Sequence, residues 1–265
     1  MSENSSKLHK TWWLLLALPI WTYGAFFIVQ VLVGWAAQGL VQLGVPLLSV
    51  NQVLLNAVLA LIIYVLALVV VIGVPYAIWR RRTSVKDLGI TGWLSWLDIV
   101  ITPVAFIVYL ILSGIVVAVL SAHLPIDVNQ VQELPFSQTM LGTRWQYILA
   151  FSTMVILAPV AEELLFRGYL YGKLRKKSPI WLAVIITSLT FGAAHLWAGP
   201  GNPLQWAVMI DTFTLSVIMC LCREFTGAIW VSMLMHMAKN GLAFYFLFVN
   251  PSVVDQIRAA ILPFL

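Results

Sequence analysis

Two long apolar runs near the start, about residues 12–41 and about 51–79, carry no charged side chain. A helix rises ~1.5 Å per residue, so ~20 residues cross a hydrocarbon layer ~30 Å thick, and both runs are long enough. Neither run leaves a polar stripe for water, and in lipid a helix satisfies its backbone hydrogen bonds within one segment. The first run is longer than the ~7–15 apolar residues of a signal peptide and lacks a small-residue cleavage pattern, so it reads as a retained span. Trp12 and Trp13 open it as interfacial anchors. Five further apolar runs follow, about 98–121, 145–172, 180–198, 204–222 and 225–249. The pattern predicts an all-α, polytopic transmembrane bundle of about seven spans; an eighth, short helix would fit almost as well. Only 9% of the residues are charged, against ~25% in soluble domains, which excludes a water-soluble enzyme.

The basic residues orient the bundle. With seven spans and a cytoplasmic N-terminus, the inside segments hold Lys7, Lys10, Arg80, Arg81, Arg82, Lys86, Lys173, Arg175, Lys176, Lys177 and Arg223. The outside segments hold Arg144 and Arg258, an asymmetry of eleven to two. The expected place is therefore the cytoplasmic membrane. The expected divisions are three spans with their loops over 1–144, a core over 145–249, and a tail over 250–265. The loop after the third span contains His123, Asp127 and Glu133, and its length suits a surface segment or lid. Cys220 and Cys222, at i and i+2, are neither a metal pair nor a disulfide framework, and read as bilayer-facing or packed thiols. The basic residues lack interleaved aromatic platforms, so no nucleic-acid partner is expected. Nothing in the sequence sets an oligomeric state.

Against this background, Ala158-Pro159-Val160-Ala161-Glu162-Glu163-Leu164-Leu165-Phe166-Arg167 stands out. A charge at bilayer depth costs about 2.5–3.5 kcal/mol on insertion scales, so three must pair or line a wet cavity. Glu163 and Arg167 are i and i+4 on one helix face, with the acid first. Glu162 is turned about 100° away, which leaves one carboxylate without a local cation. Pro159 loosens the helix one turn ahead of the pair.

The other ionisable residues inside spans are His195, Asp211, His236 and Lys239, and Asn240 shares the face of His236. From the assigned cytoplasmic ends, Glu162 is about 15 Å deep, His195 about 23 Å and His236 about 17 Å, which agree within boundary error. Asp211 and Lys239 fall at similar depth and read as a structural ion pair. Gly192, Ala193 and Ala194 would let helices approach closely beside His195. A buried carboxylate can take a proton from water, a histidine can orient that water, and a histidine with an asparagine can donate to a developing oxyanion. Glu162, His195 and His236 are equally the ligand types of a zinc site, and spacing does not choose between these chemistries.

The three motifs carry a resemblance. Glu162-Glu163 followed by Arg167 is similar to the EExxxR motif of the CPBP family, the CAAX-protease and bacteriocin-processing intramembrane proteases, also called Abi proteins. Phe191 to His195 matches its FxxxH motif and His236 to Asn240 its HxxxN motif, in the same order. The resemblance covers about residues 145–245. It implies an intramembrane endopeptidase acting on a peptide or membrane-attached protein, in bacteriocin or peptide-signal processing or self-immunity. By that resemblance Glu162 is the water-activating base with His195 beside it, Glu163 and Arg167 support it, and His236 with Asn240 form the oxyanion or ligand group. The family implies either zinc or a metal-free glutamate-activated water. The asparagine one turn from His236 favours the metal-free form. Outside this class, an ion-coupled transporter or a non-catalytic immunity or scaffold protein would use the same acids differently; absent repeats and paired broken helices weigh against a transporter.

Overall fold

A computed structural model describes residues 12–127, 134–197, 199 and 201–253. The expected N-terminal segment up to residue 11, Glu133 of the loop, and Arg258 with the tail beyond 253 lie outside the described residues. Among the described residues there is no strand, and seven helices build the bundle. They are α1 (Trp13–Gln42), α2 (Gln52–Trp79), α3 (Trp96–His123), α4 (Arg144–Arg175), α5 (Ile180–Ala193), α6 (Trp206–Thr226) and α7 (Trp230–Phe244). α1 to α4 and α6 are long and apolar enough to cross a membrane. This is a multi-pass membrane protein.

Local chemistry sets the helix starts. The Asn51 side chain accepts from the Val53 and Leu54 amides at the head of α2. Ser95 and Asp98 form a capping box on α3, and Thr143 with Gln146 forms one on α4. Gly227, at φ 71°, ends α6 in the left-handed conformation that glycine adopts without a Cβ penalty.

α4 is the central helix. Half of its apolar window is buried, against 17–22% for α1, α2 and α3, whose outer faces are left for lipid. It is not regular: wide π turns at Ser152–Leu157 and Leu164–Tyr171 flank the α-helical turn Ala158–Glu163. Pro159 has no N–H and its ring crowds the preceding turn, which a widened turn relieves. α5 and α6 approach closely, as the small residues predict. A Cβ on Gly192 would stand 2.9 Å from the Met209 carbonyl oxygen. Cys220 and Cys222 are both buried, so of the two expectations the packed one holds.

Two boundaries differ from the sequence reading. The fifth span, expected over 180–198, ends as a helix at Ala193. The His195 amide bonds to Gly192 O and the Leu196 amide to Ala193 O, three residues back instead of four, so the chain tightens into a turn. His195 therefore stands just past α5 and not within a span. The seventh span begins at Trp230 and not near 225, because α6 runs on to Thr226, whose hydroxyl caps the turn to Ala228. His123, read as a loop residue, is the last residue of α3.

The loop after α2 folds back on the basic end of α4. A Cβ on Gly172 would meet the Asp87 carbonyl oxygen at 2.8 Å, so only glycine permits that approach. Lys176 and Asp87 form an ion pair across the same contact.

Candidate active site

Glu162 and Glu163 are adjacent but have different surroundings. Glu163 is fully buried, and its Oε1 accepts from Arg167 Nη1 at 2.8 Å and is 2.9 Å from His236 Nδ1. The i, i+4 pair read from spacing is thus present, with His236 as a further partner. The Arg167 guanidinium lies over the Phe191 ring at 4.2 Å from its centroid, while Nε and Nη2 have no hydrogen-bond partner. A desolvated guanidinium on an aromatic face recovers part of its lost hydration there.

Glu162 faces a cavity of about 330 Å³. His195, His236, Lys239, Asn240 and Tyr64 line the same space, closed by apolar residues such as Ile63 and Leu247. Tyr64 donates its hydroxyl to Glu162 Oε1 at 2.7 Å. Glu162 Oε2 is buried without a hydrogen-bond partner and is 3.8 Å from His236 Nε2. That is too long for a direct hydrogen bond.

The two histidines are held differently. His195 Nδ1 is 2.9 Å from the Phe191 carbonyl. A carbonyl only accepts, so Nδ1 carries the proton, and in the neutral ring Nε2 keeps a lone pair. His236 places Nδ1 on Glu163 and Nε2 toward Glu162. Phe191 packs against both, with ring centroids 4.8 Å from His195 and 5.6 Å from His236. The FxxxH spacing therefore places a phenylalanine beneath the guanidinium and between the imidazoles.

Asn240 lines the cavity and also donates Nδ2 to the Met154 carbonyl at 2.9 Å. The wide turn explains why that carbonyl needs a partner. The Ala158 amide is drawn to Thr153 O, and Pro159, next in line, has no N–H. The side-chain amide has two N–H groups, so one can hold α4 while the other faces the cavity.

Lys239 pairs with Asp211 at 2.7 Å, as expected. Tyr109 and Ser113 of α3 add hydroxyl donors to Asp211 Oδ1 at 2.7 and 2.5 Å, so this pair is fixed on three helices.

All six residues singled out by sequence thus lie together. Glu162, His195, His236 and Asn240 line the cavity, and Glu163 with Arg167 stands behind it. Tyr64 was missed. Its signal was a phenol amid apolar residues of a span, which needs a hydrogen-bond partner. Among the described residues, no three His, Cys, Asp or Glu side chains are grouped to hold a metal ion.

Comparison with known proteins finds similarity over the segment that carries this site. Residues 144–242 match the family described as Type II CAAX prenyl endopeptidase Rce1-like. The matched segment runs from the start of α4 into α7 and contains all six residues, so over that stretch the chain is similar to this family, in accord with the CPBP resemblance. An uncharacterised 24.3 kDa protein of Escherichia coli is 33% identical over 101 residues, which are 37% of this chain and 44% of that protein. The chain thus matches less than half the length of that relative. No solved structure gives a significant match.

Proposed function

We propose that the protein is an intramembrane endopeptidase that hydrolyses a peptide bond with a water activated by Glu162. The observation that carries this reading is Glu162 itself. Its Oε1 is tied to Tyr64, while Oε2, without a partner, faces His236 across 3.8 Å inside an otherwise apolar bundle. Burial supports the chemistry, because a carboxylate removed from bulk water interacts more strongly with a proton donor held against it.

In this mechanism a water sits between Glu162 Oε2 and the imidazoles, with His195 Nε2 accepting one of its protons in a hydrogen bond. Glu162 takes the other proton as the water oxygen attacks the carbonyl carbon. The negative charge that develops on the carbonyl oxygen is met by Asn240 Nδ2 and by His236. Because His236 Nδ1 already donates to Glu163, it acts as an oxyanion donor only when Nε2 also carries a proton. Glu162 then returns its proton to the amide nitrogen, and the C–N bond breaks. Glu163 and Arg167 keep His236 in place.

The substrate is a peptide or membrane-attached protein reaching the cavity from the bilayer. Bacteriocin-type or peptide-signal precursors and prenylated proteins are the classes to compare. The basic end of the bundle faces the cytoplasm, as the charge asymmetry supports. Cysteines introduced at 86 and 176 should label from the cytoplasmic side, and one at 127 from outside; an outside label at 176 would reverse the orientation.

The decisive experiment is cleavage of a membrane-peptide library by purified wild-type protein and Glu162→Gln, with and without chelator, alongside metal content. Wild-type cleavage that survives chelation and disappears in a folded Glu162→Gln is the expected result. Cleavage by that variant would remove Glu162 as the base. Stoichiometric zinc, lost together with activity on chelation, would replace the metal-free chemistry.

A further inference from the structure

A second cavity, about 360 Å³, opens at the basic end of the bundle, apart from the candidate active site. One wall is a face of α1, where Trp13, Leu14, Ala17 and Trp21 follow helical spacing. Pro75 and Trp79 at the end of α2 form the second wall, and Tyr169 of α4 forms the floor. The rim carries Arg81, Thr83 and Lys173. An apolar, aromatic slot thus ends in two cations and a hydroxyl at the level where helices leave the membrane.

The backbone holds Arg81 at this rim. Arg80 ends α2 at φ 54°, a conformation that costs a non-glycine residue free energy. The Arg81 amide then turns back to Pro75 O at 3.3 Å, a helix-end arrangement that brings residue 81 to the slot instead of continuing outward. Lys173 is positioned by Tyr169 one turn earlier, with Nζ 5.7 Å from the ring centroid.

Charge separates this rim from its surroundings. Arg175 pairs with Glu224 at 2.9 Å, and Lys176 pairs with Asp87. Arg81 and Lys173 have no carboxylate partner among the described residues. Two cations outside any salt bridge among the described residues, beside an apolar slot at the end of the bundle that favours the cytoplasmic leaflet, are complementary to a phosphate bearing acyl chains.

We infer that this slot is a binding site for one anionic phospholipid of the cytoplasmic leaflet, with the phosphate on Arg81, Lys173 and Thr83 and an acyl chain along Trp13, Ala17 and Trp21. The site requires both parts, so a free anion and a zwitterionic lipid are each poor ligands. Its occupancy is independent of peptide cleavage.

The test uses the full chain purified in a zwitterionic detergent, with bound lipid counted by native mass spectrometry and melting temperature followed in parallel. The probes are dioleoyl phosphatidylglycerol, dioleoyl phosphatidylcholine and inorganic phosphate. The wild type should retain phosphatidylglycerol and melt higher with it, and respond to neither other probe. Arg81→Ala with Lys173→Ala should weaken that binding at least about tenfold. Lys86→Ala with Lys177→Ala, which removes equal charge from the same end outside the slot, should leave it unchanged. Ala17→Phe, which fills the slot and keeps the cations, should also abolish retention; if it fails to fold, the double-alanine comparison decides. Equal phosphatidylglycerol binding by the Arg81/Lys173 variant, equal loss in the Lys86/Lys177 control, or stabilisation by phosphate or phosphatidylcholine alone would overturn the assignment.

Discussion

Tyr64 and Glu162, 98 positions apart on α2 and α4, share a 2.7 Å hydrogen bond at the edge of the cavity. The phenol holds one carboxylate oxygen and leaves the other directed toward His236. Tyr64→Phe should therefore keep the fold and slow turnover. A hydrogen bond to a charged group is worth about 1.5–3 kcal/mol, so the loss should be roughly 10- to 100-fold in kcat. Single-turnover rates with a cleavable peptide check this; an unchanged rate would mean that Tyr64 only fills space.

Arg167 and Glu163 should act on stability as well as activity. Both are fully buried, and Glu163 serves Arg167 and His236 through the same oxygen. Arg167→Ala leaves that buried carboxylate without its guanidinium, at a cost of about 3–5 kcal/mol by analogy with soluble cores. Glu163→Gln instead strands the guanidinium on Phe191. Both variants should melt well below the parent in detergent, and normal melting of Arg167→Ala would show that the pair contributes little.

Asn240 has two tasks that substitutions can separate. Asn240→Ala removes the donor to the Met154 carbonyl and should cost about 1–3 kcal/mol, the penalty for an unsatisfied buried group. Asn240→Asp places an acceptor against that carbonyl and should be worse, despite its similar size. If both variants melt like the parent yet lose activity, the asparagine serves the reaction and not the joint between α4 and α7.

At the basic end, pH should act through Asp87. The Lys176 ammonium, and then the Ser84 amide and hydroxyl, hold its carboxyl well below the usual carboxylate range. A lowered folded-state pKa gives stability that is present above the unfolded value of ~3.9 and lost as pH falls through the folded one. The difference in melting temperature between wild type and Asp87→Asn should be constant from neutral pH down to about 5, and shrink below the unfolded value. A difference that instead grew with acidification would contradict the pairing.

What sequence could reveal depended on the range of the interaction. Helices and their approximate ends followed from apolar length, and Glu163 with Arg167 from i, i+4 spacing. Asp211 with Lys239 was legible because a charge within a span must find a partner. The tie from Tyr64 to Glu162 was not, since its phenol could have served any neighbour and the fold alone selects one. The end of α5 was hidden because apolar residues continue past Ala193 while the hydrogen bonds shorten. The bond from Asn240 to Met154 depends on a wide turn that hydropathy does not register, although Pro159 marks its neighbourhood.

The wide turn at Ser152–Leu157 also fixes a phase. A π turn is a helix carrying one residue more than regular winding requires. Wound as a regular α-helix, the same residues would rotate everything beyond that turn by about 100° from its present position. That is about the angle between neighbouring side chains, so the two carboxylates would be displaced by one place around the axis. The composition would be the same and the helix would still be long enough to span, yet the cavity would face a different side chain. In this bundle, which acid meets the cavity is decided by counting residues as much as by choosing them.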